Sequence, residues 1–422
     1  MVEFSVQPRY NRGSGSHESP PVNRAKELIV TRTGVVVSLL AVLSFFAPAD
    51  TQSRTWYVTV DGTGDAPTIQ AAIDSAGQED SLLVGPGTYS WSNQGTGDDY
   101  GMIRMMRGAP RLTIVSEMGA GMTILDGEEE GRIFFYQGYT GTMGGLTIDG
   151  FTFTRGRAPQ SDYIVGGAFT AHLSSPILKN CVFTLNTADQ GGACWFGGQG
   201  WPQFINCYFE NNTALYGGAV LAVNTPFTVR ISGCVFHGNS AVRGGGFYGY
   251  NVPLVADDCV FSSNYGSSDG GGMILNNCYP SSISRCTFYF NEAPSGGGVS
   301  LLGTTNLTAD HTIIASSVYG GAAAIPGTAS LAFSCSDLFG NVGGDWTGPI
   351  AGQYGANGNF AADPMFCDEA RFDLFLRANS PCAPGNHPSG AGCALIGARP
   401  VGCGGVSIED HSWGAIKAMF AE

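Results

Sequence analysis

Two adjacent carboxylates, Asp257 and Asp258, stand one repeat away from Arg285. Paired acids beside a guanidinium could hold a divalent cation or share acid–base work. The plainer reading is an exposed ion pair between Asp258 and Arg285. Glu210 and His237 each follow a phenylalanine in neighbouring repeats. They form a second candidate acid–base pair, or else two members of a solvated face. Trp195 and Trp201 could offer flat platforms to sugar rings; otherwise they are half-buried strand residues. Acidic and aromatic residues also gather in two longer stretches. One runs from Tyr89 to Arg107 and holds Trp91, Asp98, Asp99 and Tyr100; the other runs from Arg155 to Asp162, next to Tyr163. No C-x-x-C or H-E-x-x-H spacing occurs, so neither a metal site nor a cofactor is expected.

A repeat must position these side chains. "CVFTLNTADQGGAC" at Cys181 returns as "CYFENNTALYGGAV" at Cys207 and "CVFHGNSAVRGGGF" at Cys234. It returns again as "CVFSSNYGSSDGGGMI" at Cys259 and "CTFYFNEAPSGGGVSL" at Cys286. The cysteines are 26, 27, 25 and 27 residues apart, a solenoid-like period. Phe183, Phe209, Phe236, Phe261 and Phe288 lie two residues on, so in a strand each shares its cysteine's face. Both should point inward, with Val182, Tyr208, Val235, Val260 and Thr287 pointing out. Asn186, Asn212, Asn239, Asn264 and Asn291 follow three residues later, where stacked amides can form a ladder. Leu178, Phe204, Ile231, Ala256 and Ile283 should face inward from a preceding strand, across a sharp bend. Glycines 191, 217, 244, 270 and 296 open another. About three strands per 26 residues make one coil of a parallel β-helix, whose like residues stack at about 4.8 Å.

Composition agrees. Of 422 residues 63 are Gly, and charged residues reach only 13% beside a 43% hydrophobic share. Residues 1–49 carry basic residues, the apolar run "GVVVSLLAVLSFFAPA" and an A-x-A site, the marks of a signal peptide. Export to the outside or the cell surface is therefore expected. The remainder carries a net charge of −16, which repels phosphate backbones and argues against nucleic acid as a partner. No later apolar run is long enough for a membrane span. The β-helix is assigned to residues 50–360, with the repeat core at about 145–346. Residues 361–406 form a closing segment that should seal the far end, and 407–422 a short tail helix with Trp413, Ile416 and Phe420 on one face.

The F-x-x-N and G-G-[A/apolar] spellings resemble the repeats of polymorphic outer-membrane proteins. "TIQAAIDSAGQEDSLLVGPGTYSW", from Thr68, resembles the opening of secreted bacterial β-helix proteins of the pectin-lyase-like type. The resemblance implies an all-β, single-stranded right-handed parallel β-helix of roughly ten coils. It also implies an amphipathic plug helix built on Ile69, Ala72 and Ile73, and a cysteine-bearing closing segment. Enzymes of that type hold calcium with Asp, use Arg or Lys as base, or hydrolyse with several Asp. No polygalacturonase signature is present, and Asp257, Asp258, Glu210 and His237 remain the candidate catalytic residues. Trp195, Trp201 and Tyr100 remain the candidate binding residues. The leading expectation is a non-catalytic protein that presents an elongated face to a polysaccharide or a cell surface. The alternative is a polysaccharide lyase or glycoside hydrolase. The ladder cysteines should be buried thiols, because parallel Cβ vectors at coil spacing fall outside disulfide geometry. Cys367, Cys382, Cys393 and Cys403 should instead pair.

Overall fold

The computed structural model describes residues 53–94, 100–106, 108–138, 145–158 and 165–404. The proposed leader and tail helix, with Asp98, Asp99, Arg107, Asp162 and Tyr163, lie outside the described residues. The rest is a right-handed parallel β-helix of about ten coils.

A middle coil has four strands where the sequence suggested about three. Val229–Ser232 belongs to sheet I, Val235–His237 to sheet II, Ser240–Arg243 to sheet III and Phe247–Tyr250 to sheet IV. Sheets I, II and IV have 11, 10 and 9 strands; sheet III has 3, and isolated bridges extend it. The extra strand arises because the residues after each ladder asparagine alternate outward and inward. In Thr213–Tyr216 only Ala214 is buried.

The bend between sheets I and II uses left-handed backbone at Asn180, Asn206, Gly233, Asp258 and Arg285. Arg285 is a poor residue for that geometry (φ 46°), and its two-pronged ion pair with Asp258 helps to hold it. Beneath the bend, Cys and Phe face the interior. The phenylalanines form a column with ring centroids 4.6–4.9 Å apart and planes within 13° from Phe153 to Phe288. The spacing is the coil rise itself, so the offset stacks follow from register.

Beside it runs the asparagine ladder. Each Nδ2 donates to the next coil's Oδ1 at 2.9–3.0 Å from Asn186 to Asn291. Each also donates to a phenylalanine carbonyl in the preceding coil. Burial of these amides is tolerated because both ends of each are satisfied.

Both ends of the core are closed. Ile69–Ser75 is a helix whose N-terminus is capped by Thr68 Oγ1, accepting from Ala71 N. Its Ile69, Ala72 and Ile73 enter the same core as the coils. At the other end Ile350 and Trp346 cover the last coil, Trp346 packing edge-on against Phe333. The closing segment does not seal that end, contrary to expectation. From Phe360 onward it doubles back over the outer face of sheet II as a strap. Its short antiparallel pair, Phe366–Asp368 with Asp373–Leu376, lays Phe366, Leu374 and Leu376 against Val235, Val260 and Ile313. Gly397 N donates to His311 O, and Ala398 N to Thr287 Oγ1.

The outward residues Val182, Tyr208, Val235, Val260 and Thr287 are consequently buried. They point out of the coil, as alternation requires, but into the strap rather than water.

Disulfides fasten the strap. Cys367 pairs with Cys403, while Cys393 pairs with Cys335 of the last coil, 58 residues earlier. Cys382 does not pair, which corrects the expectation that all four closing-segment cysteines would: it is a buried thiol 3.3 Å from Asp337 Oδ2. Cys181, Cys207, Cys234, Cys259 and Cys286 are buried thiols too, and burial pushes the Cys181, Cys234, Cys259 and Cys286 pKa values well up. Neighbouring thiols interact along the ladder, and most of their sulfurs also reach a carbonyl of the coil before, as in Cys207 Sγ to Leu178 O at 3.3 Å. Peptide mapping of the non-reduced protein should find only these two disulfides, and alkylation should reach the ladder thiols only after unfolding. A bridge between two ladder cysteines would contradict this.

Candidate functional site

Asp258 sits at the bend, and its carboxylate takes both Arg285 Nε (2.6 Å) and Nη2 (2.8 Å). Both partners are nearly half exposed, so the pair is screened. Asp257 ends the adjacent strand and is half-buried; loss of hydration raises its pKa, and the Asp258 charge adds to that against Arg285. The doublet is thus one engaged acid and one partly desolvated acid. Across the next rungs the same outer row of sheet I holds Ser284, Asp310 and Ser334. Asp310 is occupied, accepting from Ser334 Oγ (2.6 Å) and lying 2.7 Å from His311 Nδ1. Among the described residues, no three His, Cys, Asp or Glu side chains converge as metal ligands.

Glu210 and His237 are direct register partners in sheet II, as the repeat implies. They do not form a solvated face. Glu210 is buried, and the Phe372 ring of the strap packs edge-to-face with the His237 ring at a centroid separation of 5.1 Å. His237 Nδ1 is 2.9 Å from Ser262 Oγ one coil on, and that hydroxyl is fully buried. Strap burial went unseen because it depends on contacts more than a hundred residues apart. One signal was present: a column reading Val, Tyr, Val, Val on a supposedly wet face needs a cover.

Trp195 is no open platform. It lies on the outer side of sheet IV in register with Thr170, Leu221, Tyr248 and Ile274, buried with Leu221, Tyr248 and Ile274. Its ring stacks on His172 at 6.2 Å. Trp201 is half-buried in the connection before Gln203–Ile205, edge-on to Phe227. Tyr100 is exposed, with its ring 5.1 Å from Phe135 and its carbonyl accepting from Arg132 Nη1. The structure therefore does not gather the three aromatics into one surface.

A different row does form an open surface. Thr187, Thr213, Ser240, Tyr265, Glu292 and Tyr319 are successive register partners along sheet III and its bridges. All point outward; Tyr265 is 43% and Tyr319 55% exposed. They stand two coils apart, about 9.6 Å, with a carboxylate between them and hydroxyls leading up to them. Exposed Leu215 and Val242 lie beside this row on the same sheet. Sequence reading missed the row, because these residues fall in the variable part of the repeat that looked like a loop.

Comparison with known proteins follows the fold. The family model described as "Right handed beta helix region" matches residues 167–337. No curated protein sequence matches the chain. Among solved structures, pectate lyase Pel9A is similar at 14% identity and a TM-score of 0.48, covering 83% of this chain and 97% of its own. A pectin methylesterase from carrot is similar at 14% identity and 0.42, covering 81% and 95%.

Proposed function

We propose that the protein is an exported, non-catalytic β-helix that binds an extended, acid-poor glycan along sheet III. The row from Thr187 to Tyr319 carries this reading: it is open, in register, and repeats hydroxyl and aromatic groups at coil spacing. Aromatic faces suit pyranose rings, and many weak contacts along one polymer add by avidity. The net charge of −14 disfavours a polyanionic ligand. Two disulfides in the strap support residence in an oxidising compartment.

A polysaccharide array, scored both for binding and for release of reducing ends, tests the reading. The protein is expected to bind one or more neutral glycans and release no ends. Tyr265→Ala with Tyr319→Ala should weaken binding at least tenfold, while Asp258→Ala stays within a few-fold. Unchanged binding in the double tyrosine variant, or release of reducing ends, would overturn the proposal.

A further inference from the structure

A coil stack ends in unpaired strand edges, and an open edge is a template for another chain. In this protein side-chain amides occupy three of them. Sheet II begins with Gly87–Ser90, whose inner side pairs with the next coil. On its outer side Asn93 Oδ1 accepts from Ser90 N (2.8 Å) and Asn93 Nδ2 donates to Thr88 O (2.9 Å). Donating to one residue's carbonyl and accepting from the amide two further on is the pattern a parallel strand would supply. Sheet IV begins with Ile103–Met105, where Gln70 of the plug helix closes Arg104 from both sides. Its Oε1 accepts from Arg104 N (2.7 Å) and its Nε2 donates to Arg104 O (3.2 Å).

The other end repeats the device. The last strand of sheet I, Ser330–Ser334, meets Gln353, whose Oε1 accepts from Phe333 N and whose Nε2 donates to Leu331 O, both at 2.7 Å. Backbone closes two further edges. Asp65 N donates to Tyr57 O at the first strand of sheet I, and Phe360 N donates to Ser336 O at the last of sheet II.

We infer that Asn93, Gln70 and Gln353 act as false rungs, side-chain amides that occupy terminal strand edges and deny them to a second copy of this chain. A single amide satisfies the edge but presents no further backbone, so the ladder stops there. The two caps at the N-terminal end sit beside exposed residues, Thr88 and Arg104. Their removal hands the Thr88 and Arg104 groups to water and leaves only the N–H of buried Ser90 to find a new partner, so the coils should survive.

The N-terminal end then offers two open edges on one face. Thr55–Val58 of sheet I stands one coil further out and the plug helix packs on Ile103–Met105, so a second copy would pair with one freed edge at a time rather than with both. Full-length Gln70→Ala/Asn93→Ala protein, measured by sedimentation velocity over a hundredfold concentration range, should show a concentration-dependent dimer that the wild type lacks. Gln353→Ala should associate through the opposite end. Adding Arg104→Pro, which removes the freed N–H, should weaken the first association. Variants that sediment as the wild type does at every concentration would overturn the inference. Loss of the native β-sheet circular dichroism in the double variant would also overturn it, since the amides would then be supports of the coils rather than stops.

Discussion

Asn239→Ala is expected to destabilise the protein by about 3–6 kcal/mol, although it removes one uncharged side chain. Asn239 Nδ2 donates to Phe209 O and to Asn264 Oδ1, each at 3.0 Å. Its Oδ1 accepts from Asn212 N (3.0 Å) and from Asn212 Nδ2 (2.9 Å). Alanine leaves the Phe209 carbonyl and the Asn212 amide without those partners in a site with no water access. Each buried orphan costs about 1–3 kcal/mol, and the ladder is cut in the middle rather than at an end. Asn239→Asp should be worse still, because it brings a charge into the same space. Asp258→Ala is the contrast: its partner Arg285 is nearly half exposed, so the loss should stay under about 1 kcal/mol. Urea unfolding with disulfides intact measures both. An Asn239→Ala loss as small as that of Asp258→Ala would show that the ladder is ornamental. Hydrogen exchange at the amides of Asn212 and Asn264 would show whether the damage stays local, as nearest-neighbour coupling in a solenoid predicts.

The ladder was legible in the sequence because it repeats. Cysteine, phenylalanine and asparagine recur in fixed order, and strand alternation alone assigns the first two to the interior. The plug helix was legible for a related reason, with Ile69, Ala72 and Ile73 on one helical face. What failed to show was everything that happens once. The strap covers sheet II through contacts such as Ala398 to Thr287, 111 residues apart, and no periodicity records them. Cys335 lies beyond the five strict repeats, so nothing in its spacing marked it as the partner of Cys393. Gln70, Asn93 and Gln353 are ordinary polar residues until the chain has built the edges they close. For the site, the sequence placed Glu210 beside His237 and Asp258 beside Arg285 correctly, because both pairs follow from register. Their surroundings were not predictable, since exposure depends on the strap. The row from Tyr265 to Tyr319 was hidden in the segment where the repeat is least strict.

Asp337→Asn should make the protein more stable, and increasingly so as pH rises from 4 to 8. Asp337 is fully buried where the strap leaves the last coil, within the apolar cluster of Phe360, Phe366 and Leu376. Its Oδ1 accepts from Ala362 N (3.0 Å) and its Oδ2 from the Cys382 thiol (3.3 Å). Those two contacts favour the anion, but burial outweighs them, and the Asp345 and Asp363 carboxylates push the same way as burial. The pKa is raised from 3.8 to about 8. The folded protein therefore holds a proton that the unfolded chain releases near pH 4. The stability tied to this proton is complete below pH 4 and falls by about 1.4 kcal/mol per pH unit until the folded group ionises near 8. At pH 7 the deficit is roughly 4 kcal/mol. Asparagine stays neutral at every pH, its Oδ1 can keep the Ala362 bond, and its Nδ2 can face the Cys382 sulfur. Denaturation curves at pH 4.5, 6 and 7.5 should therefore diverge, the wild type losing stability while Asp337→Asn changes little from this site. The strap should be the first element to respond, because Asp337, Cys382 and the Cys335–Cys393 bridge all lie at its root. Hydrogen exchange at Gly397 and Ala398 should quicken above pH 8 in the wild type more than in the variant. Parallel stability curves for the two proteins would mean that Asp337 is already ionised in the fold, and that the cover over sheet II does not depend on its proton.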